Sequence, residues 1–146
     1  MTHFVYLAQR NGESWNKING LYQASKDIFV YLKDDSGMQY EYHLFPGFQT
    51  DGGTVPWIFR SIVPGWSDSN TTLNLAYAIH DYNYGSETVC KEVADTMLRD
   101  MLIDSGLGEV KSSVVTWAVR NFANKHYGTK YDTMDCSLFG ELRVHV

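Results

Sequence analysis

His80, Asp81, Tyr84 and Asp95 place an imidazole, two carboxylates and a phenol close together in the chain, the residue types that acid–base chemistry uses. His80 continues an apolar series, Leu73, Ala76 and Tyr77, at three- and four-residue spacing, so its ring is expected on the core side of a helix, facing the next one. Tyr84 follows His80 at i+4 and Asp81 at i+3, where it can line the space beside both. Asp95 stands beside Ala94 and Leu98 at the edge of a second apolar stripe, and a carboxylate in that position needs a partner. If the two helices form an antiparallel hairpin, Asp95 can accept the Nδ1 proton of His80, fix its tautomer and leave Nε2 as a general base. Asp81, one step round the helix, is then free to hold a cation. A histidine on an apolar stripe is also commonly a hydrogen-bonded core residue. The four residues together, not any one of them, point to function.

A second candidate lies upstream. In Thr50-Asp51-Gly52-Gly53 two glycines let backbone groups approach an ion or oxyanion closely, and Asp51 adds charge; an ordinary turn has the same composition. The remaining histidines, His3, His43, His126 and His145, fall near termini, on polar strand positions or at a helix end, and are expected to be solvated. The acidic pairs Asp34-Asp35 and Asp132/Asp135 are expected to be solubilising loop residues.

The elements that must position these residues give an α+β fold. Phe4 to Ala8 is a candidate strand, and Asp27 to Lys33 and Met38 to Phe45 flank Asp34-Asp35-Ser36-Gly37 as an antiparallel hairpin. Met38, Tyr40, Tyr42 and Leu44 alternate with Gln39, Glu41 and His43, as a half-buried strand should. From Pro46 to Ser69, proline, glycine, aspartate and tryptophan recur without a period, which predicts a long ordered loop. A bundle of three helices follows. Asp68, Ser69 or Asn70 can cap the first, and Gly85 is expected to stop it. Ser86 can cap the second, with a stripe of Val89, Val93, Met97 and Met101 and an end at Gly106. The third spans Glu109 to about His126 with Val110, Val114, Trp117, Ala118 and Phe122 inward, and Leu142 to Val146 can return as a C-terminal strand.

Length and composition narrow the function classes. The 146 residues, 44% of them hydrophobic, suit a single domain over 1–146 with a sizeable core. A net charge of -5 argues against nucleic acid, whose phosphates call for clustered Lys and Arg. The start of the chain lacks the pattern of a signal peptide, no transmembrane segment is expected, and synthesis and folding in a bacterial-type cytoplasm follow. Cys90 and Cys136 are too few for a disulfide framework and are expected as reduced thiols.

The order Pro46-Gly-Phe-Gln-Thr-Asp-Gly-Gly-Thr-Val-Pro56, Ala78-Ile-His-Asp-Tyr-Asn-Tyr84, Ala94-Asp95 and Ala118-Val-Arg120 resembles a family of bacteriophage and prophage proteins catalogued as domain of unknown function 1353. The likeness implies a phage gene, expressed in the host cytoplasm and able to assemble on the virion. Locally, His80-Asp81-Tyr-Asn-Tyr84 is similar to the His-Asp-x-x-Tyr helix of secreted phospholipases A2, with Asp95 on the following helix. Carried over, that resemblance makes His80 the base that activates water, Asp95 the acid that orients it and Tyr84 a supporting donor. It makes Asp81 a calcium ligand, with the loop of Asp51, Gly52 and Gly53 supplying further ligands and an oxyanion donor. An oxygen-rich set of this kind suits calcium better than zinc, since His80 is its one nitrogen donor.

Three functions compete. A metal-assisted hydrolase would attack an ester or amide in a lipid or cell-wall substrate. A non-catalytic virion or tail component would use an aromatic-rich surface to bind another phage protein, with His80 and Asp95 as a buried structural pair. An intracellular inhibitor of a host factor would fit the acidic charge.

Overall fold

The computed structural model describes residues 3–10, 15–52, 65–67, 70–122 and 138–146. Seven strands and three helices occur in these spans: β1 (Phe4–Arg10), β2 (Trp15–Ile18), β3 (Leu21–Ala24), β4 (Ile28–Asp34), β5 (Gln39–Leu44), β6 (Gln49–Thr50), α1 (Thr71–Ser86), α2 (Lys91–Asp104), α3 (Glu109–Phe122) and β7 (Gly140–His145). The α+β class, the antiparallel N-terminal strands, the three helices and the C-terminal strand are all present.

Four strands pair antiparallel in the order β1-β4-β5-β7. The β4–β5 hairpin places Leu32 opposite Tyr40 and Val30 opposite Tyr42. The alternation read from the sequence is real: Ile28, Val30, Leu32, Tyr42 and Leu44 are fully buried, in one cluster with Leu75, Ile79 and Tyr82 of α1 and Met97, Leu98, Met101 and Leu102 of α2. Asp34 is buried, not a solubiliser. Its carboxylate accepts the Ser36 and Met38 N–H groups and the Ser36 and Tyr40 hydroxyls, which tie the hairpin turn. Those hydrogen bonds, led by the Ser36 side chain, hold the Asp34 carboxyl below its usual range. Asp132 and Asp135 lie outside the described residues.

Strand β1 forms one edge of the sheet, and α2 covers it. Asp100 accepts the Phe4 N–H at 2.8 Å and Asp104 the Tyr6 N–H at 3.1 Å, so carboxylates one helical turn apart occupy donors that could otherwise recruit another strand. At the far edge β7 pairs with β5, and Gly140 is required there: a Cβ would lie 2.7 Å from a Tyr82 ring carbon and 3.0 Å from the His43 carbonyl oxygen. Gly140→Ala should therefore lower stability by about 1–3 kcal/mol in denaturant unfolding, because backbone has to move.

A second, three-stranded sheet, β2-β3-β6, adds strands that were not individually picked out in the strand-rich first third, and one in the expected loop. β2 and β3 turn through Asn19 and Gly20, both at positive φ (52° and 80°) as a tight hairpin turn requires. β6 pairs with β3, Tyr22 opposite Thr50, so part of the expected long loop is sheet. The stretch 53–64 of that loop lies outside the described residues.

Three helix details differ from expectation. Asn70 does cap α1, accepting the Leu73 N–H at 3.1 Å, but Gly85 lies inside the helix, which ends after Ser86 with Glu87 at φ 57°. Ser86 does not cap α2; its hydroxyl donates to the Tyr82 carbonyl at 2.6 Å, and α2 begins after Cys90. In α3 Ala118 is buried and Val114 packs partly against the core as expected, and Ser112, Val115 and Thr116 also face inward, but Val110 and Trp117 are 78% and 53% exposed. The helix carries two apolar stripes. The one with the smaller side chains, which allows close approach, faces the core.

Candidate functional site

Helices α1 and α2 converge on Asp95. Asp95 is fully buried, and Oδ1 faces the Nε2 of His80 at 3.0 Å and accepts the Tyr84 hydroxyl at 2.6 Å. Oδ2 accepts from the Lys91 ammonium at 2.8 Å. The His80 and Tyr84 rings pack at 4.1 Å with a 41° tilt, one turn apart on α1 as their spacing predicts. Burial alone would push the Asp95 carboxyl up, but the hydrogen bonds from His80, Lys91 and Tyr84 outweigh it and hold the group below its ordinary value. The centre is thus an ionised carboxylate with three donors and one fixed cation.

The expected pairing of His80 with Asp95 is present, through the other nitrogen. Nε2, not Nδ1, faces the carboxylate. Helix spacing specifies which residues meet, whereas the ring nitrogen that arrives first depends on the side-chain rotamer and the helix crossing. With Nε2 donating to Asp95, the neutral imidazole keeps its lone pair on Nδ1, which has no hydrogen-bond partner among the described residues. His80 is buried, with 8% exposure.

Asp81 points elsewhere, as its one-step offset on the helix requires. Its Oδ2 accepts the Thr50 hydroxyl, and the Asp51 N–H at 3.3 Å. Thr50 Oγ1 in turn accepts the Gly52 N–H at 3.1 Å. Gly52 has φ 75°, and a Cβ there would lie 2.8 Å from the Tyr22 ring and 3.1 Å from Trp66. Tyr22 and Trp66 stack at 4.1 Å. The expected approach of Asp81 to this loop is therefore present, with Thr50 as the direct contact; Gly53 lies outside the described residues. Among the described residues no group of three His, Cys, Asp or Glu side chains is placed to hold a metal ion.

A buried polar network supports the helix pair. The Tyr42 hydroxyl donates to Asn83 Oδ1 at 2.8 Å and contacts the Met97 sulfur at 3.2 Å, joining β5, α1 and α2. Burial drives the Tyr42 hydroxyl far above the usual phenol range, so it serves as a neutral donor. His43 is not simply solvated: its ring nitrogens lie 2.7 Å from Asp27 and 3.5 Å from Glu141, and its ring stacks on Phe29 at 4.2 Å. His3 and His145 are exposed, and His126 lies outside the described residues.

Sequence reasoning missed Lys91 and the Thr50 hydroxyl. Lys91 is four residues before Asp95, a spacing that signals an ion pair on any helix that contains both. Thr50 sits inside the quoted glycine motif but carries no charge to mark it.

Fold and site together define an α+β protein with a carboxylate-centred His–Asp–Tyr–Lys cluster between its first two helices. The chain belongs to the family described as Protein of unknown function (DUF1353), whose model matches residues 26–119. That span contains Thr50, His80, Asp81, Tyr84, Lys91 and Asp95. No curated protein and no solved structure gives a significant match to the chain. Among the described residues no helix is long and apolar enough to cross a membrane.

Proposed function

We propose that this protein is a phage-encoded hydrolase that cleaves an ester or amide bond in a lipid or cell-wall substrate, with His80 as general base. The observation that carries this reading is the orientation of His80: Nε2 is held 3.0 Å from a buried carboxylate, a contact that, with Nε2 donating, directs the ring's lone pair to Nδ1. In the reaction Nδ1 takes a proton from water as its oxygen attacks the substrate carbonyl. Asp95 stabilises the imidazolium so formed, and that proton then passes to the leaving oxygen or nitrogen. Tyr84 and Lys91 keep Asp95 ionised and in place. The likeness of the His80-Asp81-Tyr-Asn-Tyr84 helix to secreted phospholipases A2 supports the same assignment of base and orienting acid.

A different observation favours the non-catalytic virion component. Val110 and Trp117 project outward from α3 and line a shallow cleft with Val114, Arg99 and Glu109, an apolar surface that another phage protein could cover. Incubation of the purified protein with phospholipid vesicles and with peptidoglycan separates the two readings. Release of fatty acid or of muropeptide fragments is expected, and identifies the substrate class; release from neither would overturn the hydrolase.

A further inference from the structure

The local likeness to phospholipases implies a calcium ion at Asp81, and among the described residues the groups that meet its Oδ2 do not fit one. A hard cation needs six to eight oxygens with lone pairs aimed inward. Here Asp81 Oδ2 meets hydrogen-bond donors, the Thr50 hydroxyl and the Asp51 N–H. The hydroxyl oxygen that could otherwise face a cation accepts the Gly52 N–H. Both amide dipoles in the turn therefore present their positive ends to the Asp81–Thr50 pair, an arrangement that stabilises an anion and repels a cation. Thr50 is 1% exposed, which makes this a built contact, not a surface encounter.

We propose that Asp81 and Thr50 form a hydrogen-bonded latch that fixes the 50–52 turn to α1, with Thr50 as a positioning residue and Asp81 as an anchor instead of a cation ligand. The latch has a structural purpose visible in the register. β6 pairs with β3 through Tyr22 and Thr50, so tying Thr50 to Asp81 docks the small sheet on α1 one residue from His80. The turn must pass under Tyr22 and Trp66, where only glycine fits at 52, and the latch occupies its two amides. The wall beside the candidate site is thereby set by the protein alone. This inference holds whether or not His80 is a base, so the two can fail separately.

The test combines thermal unfolding with amide hydrogen exchange at Asp51 and Gly52, in millimolar calcium chloride and in chelator, for the full-length protein and its Thr50→Val, Thr50→Ser and Asp81→Asn variants. For the unsubstituted protein, calcium should leave the melting temperature and both amide signals unchanged. Thr50→Val should speed exchange at Gly52 by about tenfold or more, and Thr50→Ser, which keeps the hydroxyl, should restore protection. Asp81→Asn should speed exchange at Asp51. A saturable movement of the Asp51 and Gly52 signals with calcium, accompanied by a rise in melting temperature, would overturn the proposal. So would a Thr50→Val protein whose Gly52 amide stays as protected as before. Should Asp81→Asn fail to fold, the calcium titration of the unsubstituted protein and the Thr50 pair still decide the matter.

Discussion

Asp95→Asn should cost about 3–5 kcal/mol of folding stability, a range known for breaking a buried ion pair on one side. The carboxylate is fully buried and receives three donors, from His80, Tyr84 and Lys91. An amide of the same shape offers one acceptor oxygen and adds an NH2 group that must face a donor. The ammonium of Lys91 loses its counter-charge, although its 25% side-chain exposure lets it turn partly toward water and moderates the loss. The pH dependence has a definite sign. The folded-state pKa of Asp95 is depressed, since hydrogen bonds from His80, Lys91 and Tyr84 outweigh the opposing effect of burial. The group therefore contributes stability that is fully present above the ordinary carboxylate range, about pH 4, and is lost as pH falls through the lower folded value. Urea unfolding of both proteins across pH checks this. The gap between them should narrow as pH falls below the ordinary carboxylate range, about pH 4; a gap unchanged there would contradict the assignment of an ionised Asp95.

Much of the site is legible in the sequence because helix periodicity is a local property. The spacing from Leu73 to His80 fixes which face of α1 is buried, and Ala94 with Leu98 does the same for Asp95. The choice between Nδ1 and Nε2 is not local, since it depends on how two helices cross. Lys91 stands four residues before Asp95 whether α2 starts after Ser86 or after Cys90, so spacing makes the pair legible, and the apolar stripe that singles out the other site residues passes it by. In α3 Val110 and Trp117 are as apolar as Val115 and Ala118, and packing against α2 decides which pair is buried, with Val114 between them. The β2–β3 hairpin does have a readable signal in Asn19-Gly20, but its strands are four residues each, too short for alternation to stand out. β6 has two residues and exists only through its pairing with β3.

His80→Ala carries the largest expected effect on function. Alanine removes the one imidazole that Asp95 orients, while the neighbouring Tyr84 and Lys91 keep the carboxylate paired, so the fold should survive with a loss of about 1–3 kcal/mol. Water would then have to attack without a positioned base, and loss of general-base catalysis lowers rates by about 10²–10⁴-fold. Tyr84→Phe, which removes one of the donors holding Asp95 but leaves His80 in place, should give a smaller loss. The most direct measurement is the rate at which unsubstituted and His80→Ala proteins, matched in fold by circular dichroism, release product from the lipid or cell-wall substrate. The hydrolase account predicts a loss of about 10²-fold or more for His80→Ala; equal rates from the two proteins would contradict it.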